Sequence, residues 1–135
     1  MSDKVWSVEE QAEHRKLWAD ALRSGLYPQC QQVLSNKYAY CCLGVACEVA
    51  LNNGLELYVD RHPLDEYGEP IDHVVYNGEW ENLPKSVHEW LGLDGLNFDD
   101  IDLINMNDHE NKTFDEIADF IEANKPQEEE EDEDG

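Results

Sequence analysis

Three of the four cysteines fall in one apolar run, Tyr38-Ala39-Tyr40-Cys41-Cys42-Leu43-Gly44-Val45-Ala46-Cys47-Glu48-Val49-Ala50-Leu51. Cys41 and Cys42 open the helix this run is expected to form, where free N–H groups and the helix dipole lower a thiol pKa. His73, at the start of a strand-like run, is the matching general base. The chemistry in view is thiol-dependent hydrolysis, laid out as in papain-like peptidases and amidases. Roughly thirty residues separate Cys42 from His73, which leaves little chain for the strands such an enzyme places between them. The competing explanation is that the cysteines pack as small hydrophobes. Zinc has less to recommend it: Cys41, Cys42 and Cys47 make no C-x-x-C pair, and no second pair follows at ligand spacing.

A second group of chemistry-bearing residues runs from Asn105 to Glu116. It joins two expected helices through polar residues and ends in Glu at its twelfth position, as a calcium-binding EF-hand loop does. Asn105, Asn107 and Glu116 would be the ligands. The segment departs from that pattern in beginning with Asn, in His109 at the fifth position, and in Glu110 where the sharp turn calls for Gly. A turn rich in side-chain caps accounts for the same residues.

The third group is the acid. Nine basic residues stand against 32 acidic ones, a formal charge of −23 over 135 residues. Glu128 to Asp134 contributes seven of those negatives, and removing them still leaves −16 on the rest. Direct contact with a nucleic-acid backbone is therefore not expected, because it needs clustered Lys and Arg. A basic protein surface is the expected partner, with Asp94, Asp99, Asp100, Asp102 and Asp108 as the candidate acidic face; plain solubility explains the same charge. There is no Gly-rich phosphate loop, G-x-S-x-G elbow or H-E-x-x-H pair, and no cofactor is expected. Met1 to Glu10 has no apolar core of a signal peptide, and no apolar run approaches the roughly 20 residues of a bilayer span. With reduced cysteines, the expected compartment is the cytoplasm, and no membrane partner is expected.

The elements that must position these groups read as helices with one small hairpin. Ser7-Val8-Glu9-Glu10 is a capping box opening a helix to about Ser24, with Leu17, Trp18, Ala21 and Leu22 inward and Arg15 among the residues facing water. Gln29–Leu34 could form a helical turn. The 41–51 helix is apolar all round, the pattern of a helix surrounded by others, and Gly44 within it points to close approach of a neighbouring backbone or ring. Leu55–Val59 alternates like a strand. Asn77-Gly78 between strand-like runs predicts a hairpin over about 73–81. Leu83-Pro84 restarts helix, with Pro84 at its first position and Gly92 ending it. Asn97–Asp100 opens another with Ile101, Ile104 and Met106 inward. Thr113–Glu116 is a further capping box before a stripe of Phe114, Ile117, Ala118 and Ile121. The fold class is thus α+β: about five helices around a central buried helix, with a small antiparallel hairpin. Residues 1–125 form one domain, and 126–135 an acidic tail expected to be disordered.

Taken together, Trp18–Gln29, Tyr40-Cys41-Cys42-Leu43-Gly44-Val45, Leu83-Pro84 with Val87 and Trp90–Leu93, Leu103–Asp108 and Thr113–Glu122 resemble a family of small bacteriophage and bacterial proteins of uncharacterised function. The resemblance covers roughly 15–124 and implies phage or prophage origin. It implies no catalytic or binding residues. Three functions follow as expectations: an acidic, non-enzymatic phage accessory factor that binds a basic host protein; a cysteine hydrolase using Cys41 or Cys42 with His73; or a metal-binding regulator. The oligomeric state is left open.

Overall fold

The computed structural model describes residues 6–93 and 100–123, the Asp100 side chain excepted. The expected cap at 97–100, the domain boundary at 125 and the acidic tail lie outside the described residues or run into them.

Helix α1, Val8–Arg23, begins at the expected capping box: Glu10 N–H donates to Ser7 Oγ at 3.0 Å and Ser7 N–H to Glu10 Oε1 at 2.9 Å. Its inner face is Arg15, Trp18, Ala19 and Leu22, not the face centred on Leu17. The rotation follows from what α1 lies on. Positions 11, 14 and 15 stack along one helix face, and here they meet the last three carbonyls of α3, Lys85–Leu91. Gln11 Nε2 donates to Glu89 O at 3.0 Å, His14 Nδ1 to Trp90 O at 2.7 Å, and Arg15 Nη1 to Leu91 O at 2.7 Å. Carbonyls at a helix C-terminus lack partners within the helix, and a cation beside them is favoured by the dipole. That is why Arg15 is buried while Leu17 turns outward. His14 also stacks on the Trp90 ring at 3.8 Å.

Helix α2, Cys42–Asn52, is capped by Cys41 and packs against α1, α3 and α4 (Asp100–Asp108). Nine of its eleven residues are buried, as expected for a helix apolar on every side. Trp18 Nε1 donates to Cys42 O at 2.9 Å, tying α1 to the start of α2. The close approach at Gly44 is the Leu34 backbone: a Cβ on residue 44 would lie 1.8 Å from Leu34 O. Segment 29–35 is accordingly a bent loop, with Gln32 at φ +77°, rather than a helical turn. Tyr40 pairs with Gln29 and Ser35, Cys41 N–H donates to Leu34 O at 3.0 Å, and Leu34 N–H to Trp80 O at 2.8 Å.

The sheet has two strands, β1 (Val59–Asp60) and β2 (Val75–Tyr76), antiparallel with Val59 opposite Tyr76. Asn77 and Gly78 take φ of 52° and 82°, the positive pair a two-residue hairpin turn requires. The expected partner arm goes no further than one bridge, Tyr76 to Glu79. Beyond it Trp80 is drawn onto Leu34, so β2 finds its ladder on β1 instead. Helix α3 ends at Gly92 with φ +69°, and Pro84 stands at its N-cap, one position before the first helical turn. Helix α4 buries Leu103, Met106 and Asn107, whereas Ile101 is exposed. Helix α5, Phe114–Ala123, opens at the second capping box and buries the expected stripe of Phe114, Ile117, Ala118 and Ile121; it packs chiefly on α1.

Candidate functional site

Cys41 and Cys42 do sit at the helix start, where the backbone N–H groups of Leu43 and Gly44 favour the Cys41 thiolate, although Cys41 makes no side-chain capping hydrogen bond. Burial outweighs them. The Cys41 thiol is pushed up to about 12 by desolvation, and those of Cys42 and Cys47 are raised well above the ordinary thiol value for the same reason. The helix-start effect expected from sequence is thus overruled: burial costs a thiolate more solvation than the N–H groups at the helix start return. Cys42 Sγ lies 3.7 Å from Leu103 O as a weak donor. His73 stacks on Trp80, with ring centroids 4.3 Å apart. The small cavity on which Cys41 opens, about 320 Å³, is lined by His109, Asp108 and Glu81 among others, and not by His73.

The structure brings two of the three expected metal ligands, Asn105 and Glu116, to one open groove and turns the third, Asn107, into the core. Asn105 and Asn107 belong to α4, not to a loop. Glu116 accepts from Thr113 N–H at 2.9 Å and is committed as the capping-box acid. Asn107 is fully buried, and its amide is the most heavily used polar group of the fold. Its Nδ2 donates to Cys30 O at 2.8 Å and Asp108 Oδ1 at 2.9 Å, while its Oδ1 accepts from Gln29 Nε2 at 2.9 Å and Cys42 N–H at 3.3 Å. Gln31 Nε2 donates to Asn107 O at 3.0 Å and Gln32 N–H to Asp108 Oδ1 at 3.0 Å. The glutamines of segment 29–32 therefore clamp it onto the C-terminal end of α4. Among the described residues no three His, Cys, Asp or Glu side chains converge as a metal would need.

The candidate acidic face divides. Asp94 and Asp99 lie outside the described residues, and Asp100 opens α4. Asp108 is half-buried and occupied by the glutamine clamp. Asp102 is exposed on the other side of α4, in an open groove of about 590 Å³ between α4 and α5. Glu110, Glu116 and Asp119 join it there over Met106 and Phe120, with Lys112 as the one cation among the described residues lining it. Glu110 and Asp119 had no candidate role in the sequence, and Glu116 was expected there as a metal ligand rather than as part of an acidic face. A signal for them was present: Asp102, Asn105 and Met106 share one face of α4, Glu116, Asp119 and Phe120 share one face of α5, and a five-residue connection makes the two helices antiparallel neighbours.

The arginines are turned inward or paired. Arg15 serves the α3 carbonyls, Arg23 meets Asp119 at 2.7 Å and Glu122 at 3.0 Å, and Arg61 holds Glu48 through both guanidinium nitrogens at 3.0 and 3.2 Å. Glu48 also accepts from the Tyr76 hydroxyl at 2.6 Å. All three arginines of the chain are thereby engaged within it.

These features define a small α+β domain with an acidic exterior and buried, protonated thiols. No helix among the described residues is long and apolar enough to cross a membrane. The chain belongs to the family described as a domain of unknown function, DUF8296, whose model matches residues 11–125. No curated protein and no solved structure matches it.

Proposed function

We propose that this chain is a non-enzymatic acidic interaction protein, a phage accessory factor that acts in the host cytoplasm by binding a basic surface of a host protein. The observation that supports the reading is the pairing of a charge of −23 with three arginines that are all engaged internally. The arginines, best suited of all side chains to gripping phosphate, are spent on carbonyls and carboxylates of the chain itself. The carboxylates greatly outnumber them, and among the described residues most of them face outward. Such a surface attracts a cationic partner from a distance and repels nucleic acid and anionic lipid. The raised Cys41 and Cys42 pKa values and the pairing of His73 with Trp80 weigh against the hydrolase alternative.

The test is capture of host proteins on the immobilised chain at about 0.05 M and about 0.5 M salt, where screening changes several-fold. A basic protein retained at low salt and released at high salt is the expected result. Capture that is indifferent to salt, or restricted to acidic proteins, defeats the reading.

A further inference from the structure

The groove between α4 and α5 combines two properties. Its walls carry Asp102, Glu110, Glu116 and Asp119, and its floor is formed by Met106 and Phe120. Charge alone would hold a flexible cationic chain; charge around an apolar strip selects a partner with both characters on one face. The dimensions narrow it further. Its lining side chains span Asp102–Met106 on α4 and Glu116–Phe120 on α5, so at 1.5 Å per residue the groove runs along about 7 Å of each helix, a little over one helical turn and the span of anchors at i, i+3 and i+4. The α4 C-terminus, with no basic residue in its last turn, adds the negative end of its dipole.

We propose that this groove is the docking site for a basic amphipathic helix of the partner, with apolar anchors at i, i+3 and i+4 on Met106 and Phe120 and flanking Lys or Arg on the four carboxylates. The proposal rests on the acidic-interaction reading above and gives it an address. Charge complementarity decides the occupant. The chain's own acidic run at 128–134 has the wrong sign, and so does a second copy bearing −23. Arg23 already neutralises one Asp119 oxygen from the α1 side, and Glu116 keeps its capping bond, which leaves the groove acidic without requiring either cap to break.

The probe is a fluorescent Lys/Leu peptide of about 15 residues that places its leucines on one helical face, compared with an isomer of the same composition scrambled to have no such face. Fluorescence anisotropy is read with the wild-type chain, with D102K/E110K in the groove, and with E66K/E69K, an equal charge change in the 65–69 loop. The expected result is that D102K/E110K weakens the amphipathic peptide about tenfold or more, E66K/E69K about twofold or less, and scrambling about tenfold. E110K alone, at an exposed position, weakens it about threefold and covers the case in which the double variant does not fold. Equal loss from both double variants, or equal binding of the scrambled isomer, overturns groove docking while leaving a general acidic surface intact. Absence of peptide binding to the wild-type chain even at low salt overturns both.

Discussion

Replacing Gly44 with Ala sets two physical effects against each other with opposite signs. Intrinsic helix propensity favours Ala over Gly by about 1 kcal/mol in a helix interior, so a mid-helix glycine is ordinarily a place to gain stability. Here the added Cβ would sit 1.8 Å from Leu34 O and 2.7 Å from Leu34 C. An ordinary carbon–oxygen approach is about 3.3 Å, so the Leu34 carbonyl must retreat by about 1.5 Å. That carbonyl accepts from Cys41 N–H at 3.0 Å, and the same residue donates to Trp80 O at 2.8 Å. Displacing it disrupts buried hydrogen bonds worth about 1–3 kcal/mol each when left unmade, and adds overpacking of about 1–3 kcal/mol. After the propensity gain is deducted, the net loss is on the order of 2–8 kcal/mol. With a urea slope of roughly 1–3 kcal/mol/M, the midpoint falls by about 2 M. Chemical denaturation followed by tryptophan fluorescence reads this directly. Ala46→Gly, at another buried position of α2, provides the scale for propensity plus one lost methyl. A G44A midpoint at or above wild type would refute the close approach and leave propensity as the only effect present.

The remaining predictions concern groups the fold buries. Because burial raises the folded-state pKa of Cys41, Cys42 and Cys47, the folded chain keeps protons the unfolded one releases. Stability is therefore constant below the ordinary thiol range near 8.5 and falls above it, by up to about 1.4 kcal/mol per pH unit for each thiol until its folded pKa is reached; denaturation midpoints level between about pH 7.5 and pH 10.5 would contradict this. Asn107→Leu strands Cys30 O and Cys42 N–H and costs about 3 kcal/mol; hydrogen exchange should quicken first at Gln29–Gln32, and a purely global change would point away from the clamp. Glu48→Gln leaves Arg61 without its carboxylate and weakens the acceptor of the Tyr76 hydroxyl, for a loss of about 2 kcal/mol, since Arg61 is half exposed and screened; unchanged thermal stability would show that the pair is dispensable.

What the sequence made legible is what is encoded locally. Ser7 and Thr113 announced their helices because a capping box involves only four consecutive residues. The α5 stripe was read correctly because one face packs on one neighbour. The turn at Asn77-Gly78 follows from backbone stereochemistry. Gly44 exposed its own purpose, since a glycine inside an all-apolar helix needs a reason and close approach is the usual one. The misreadings are all cases where a distant partner decided. Arg15 looked like a solvent residue until α3 presented its carbonyls. Segment 29–34 had the composition of a helical turn, yet its glutamines bond residues more than seventy positions away on α4. Leu55–Val59 alternates in burial as a strand should, but alternation specifies a face and not a partner, and only Val59 joins the ladder. The expected calcium loop is divided for the same reason: Asn105 and Asn107 lie within α4, and Asn107 faces the core while Asn105 and Glu116 line the groove.

The way this fold is held together has a consequence for the function proposed. Its long-range ties are mostly neutral amides or backbone groups: Trp18 to Cys42, Gln11 to Glu89, and Asn107 to Cys30 and Cys42. Bonds of that kind are indifferent to ionic strength. The surface, at −23, repels itself, and that repulsion weakens as salt is added. Salt should therefore leave the folded chain as stable or raise its denaturation midpoint, while it weakens attraction to a cationic partner. Folding and binding respond to the same variable in opposite directions, so a loss of binding at high salt cannot be ascribed to loss of structure. A midpoint that fell with salt would mean that exposed ion pairs such as Arg23 with Asp119 and Glu122 contribute more than the neutral network. In that event the arginines would be structural cations whose removal from the surface is incidental, and the acidic exterior would lose its main physical argument as a designed binding surface.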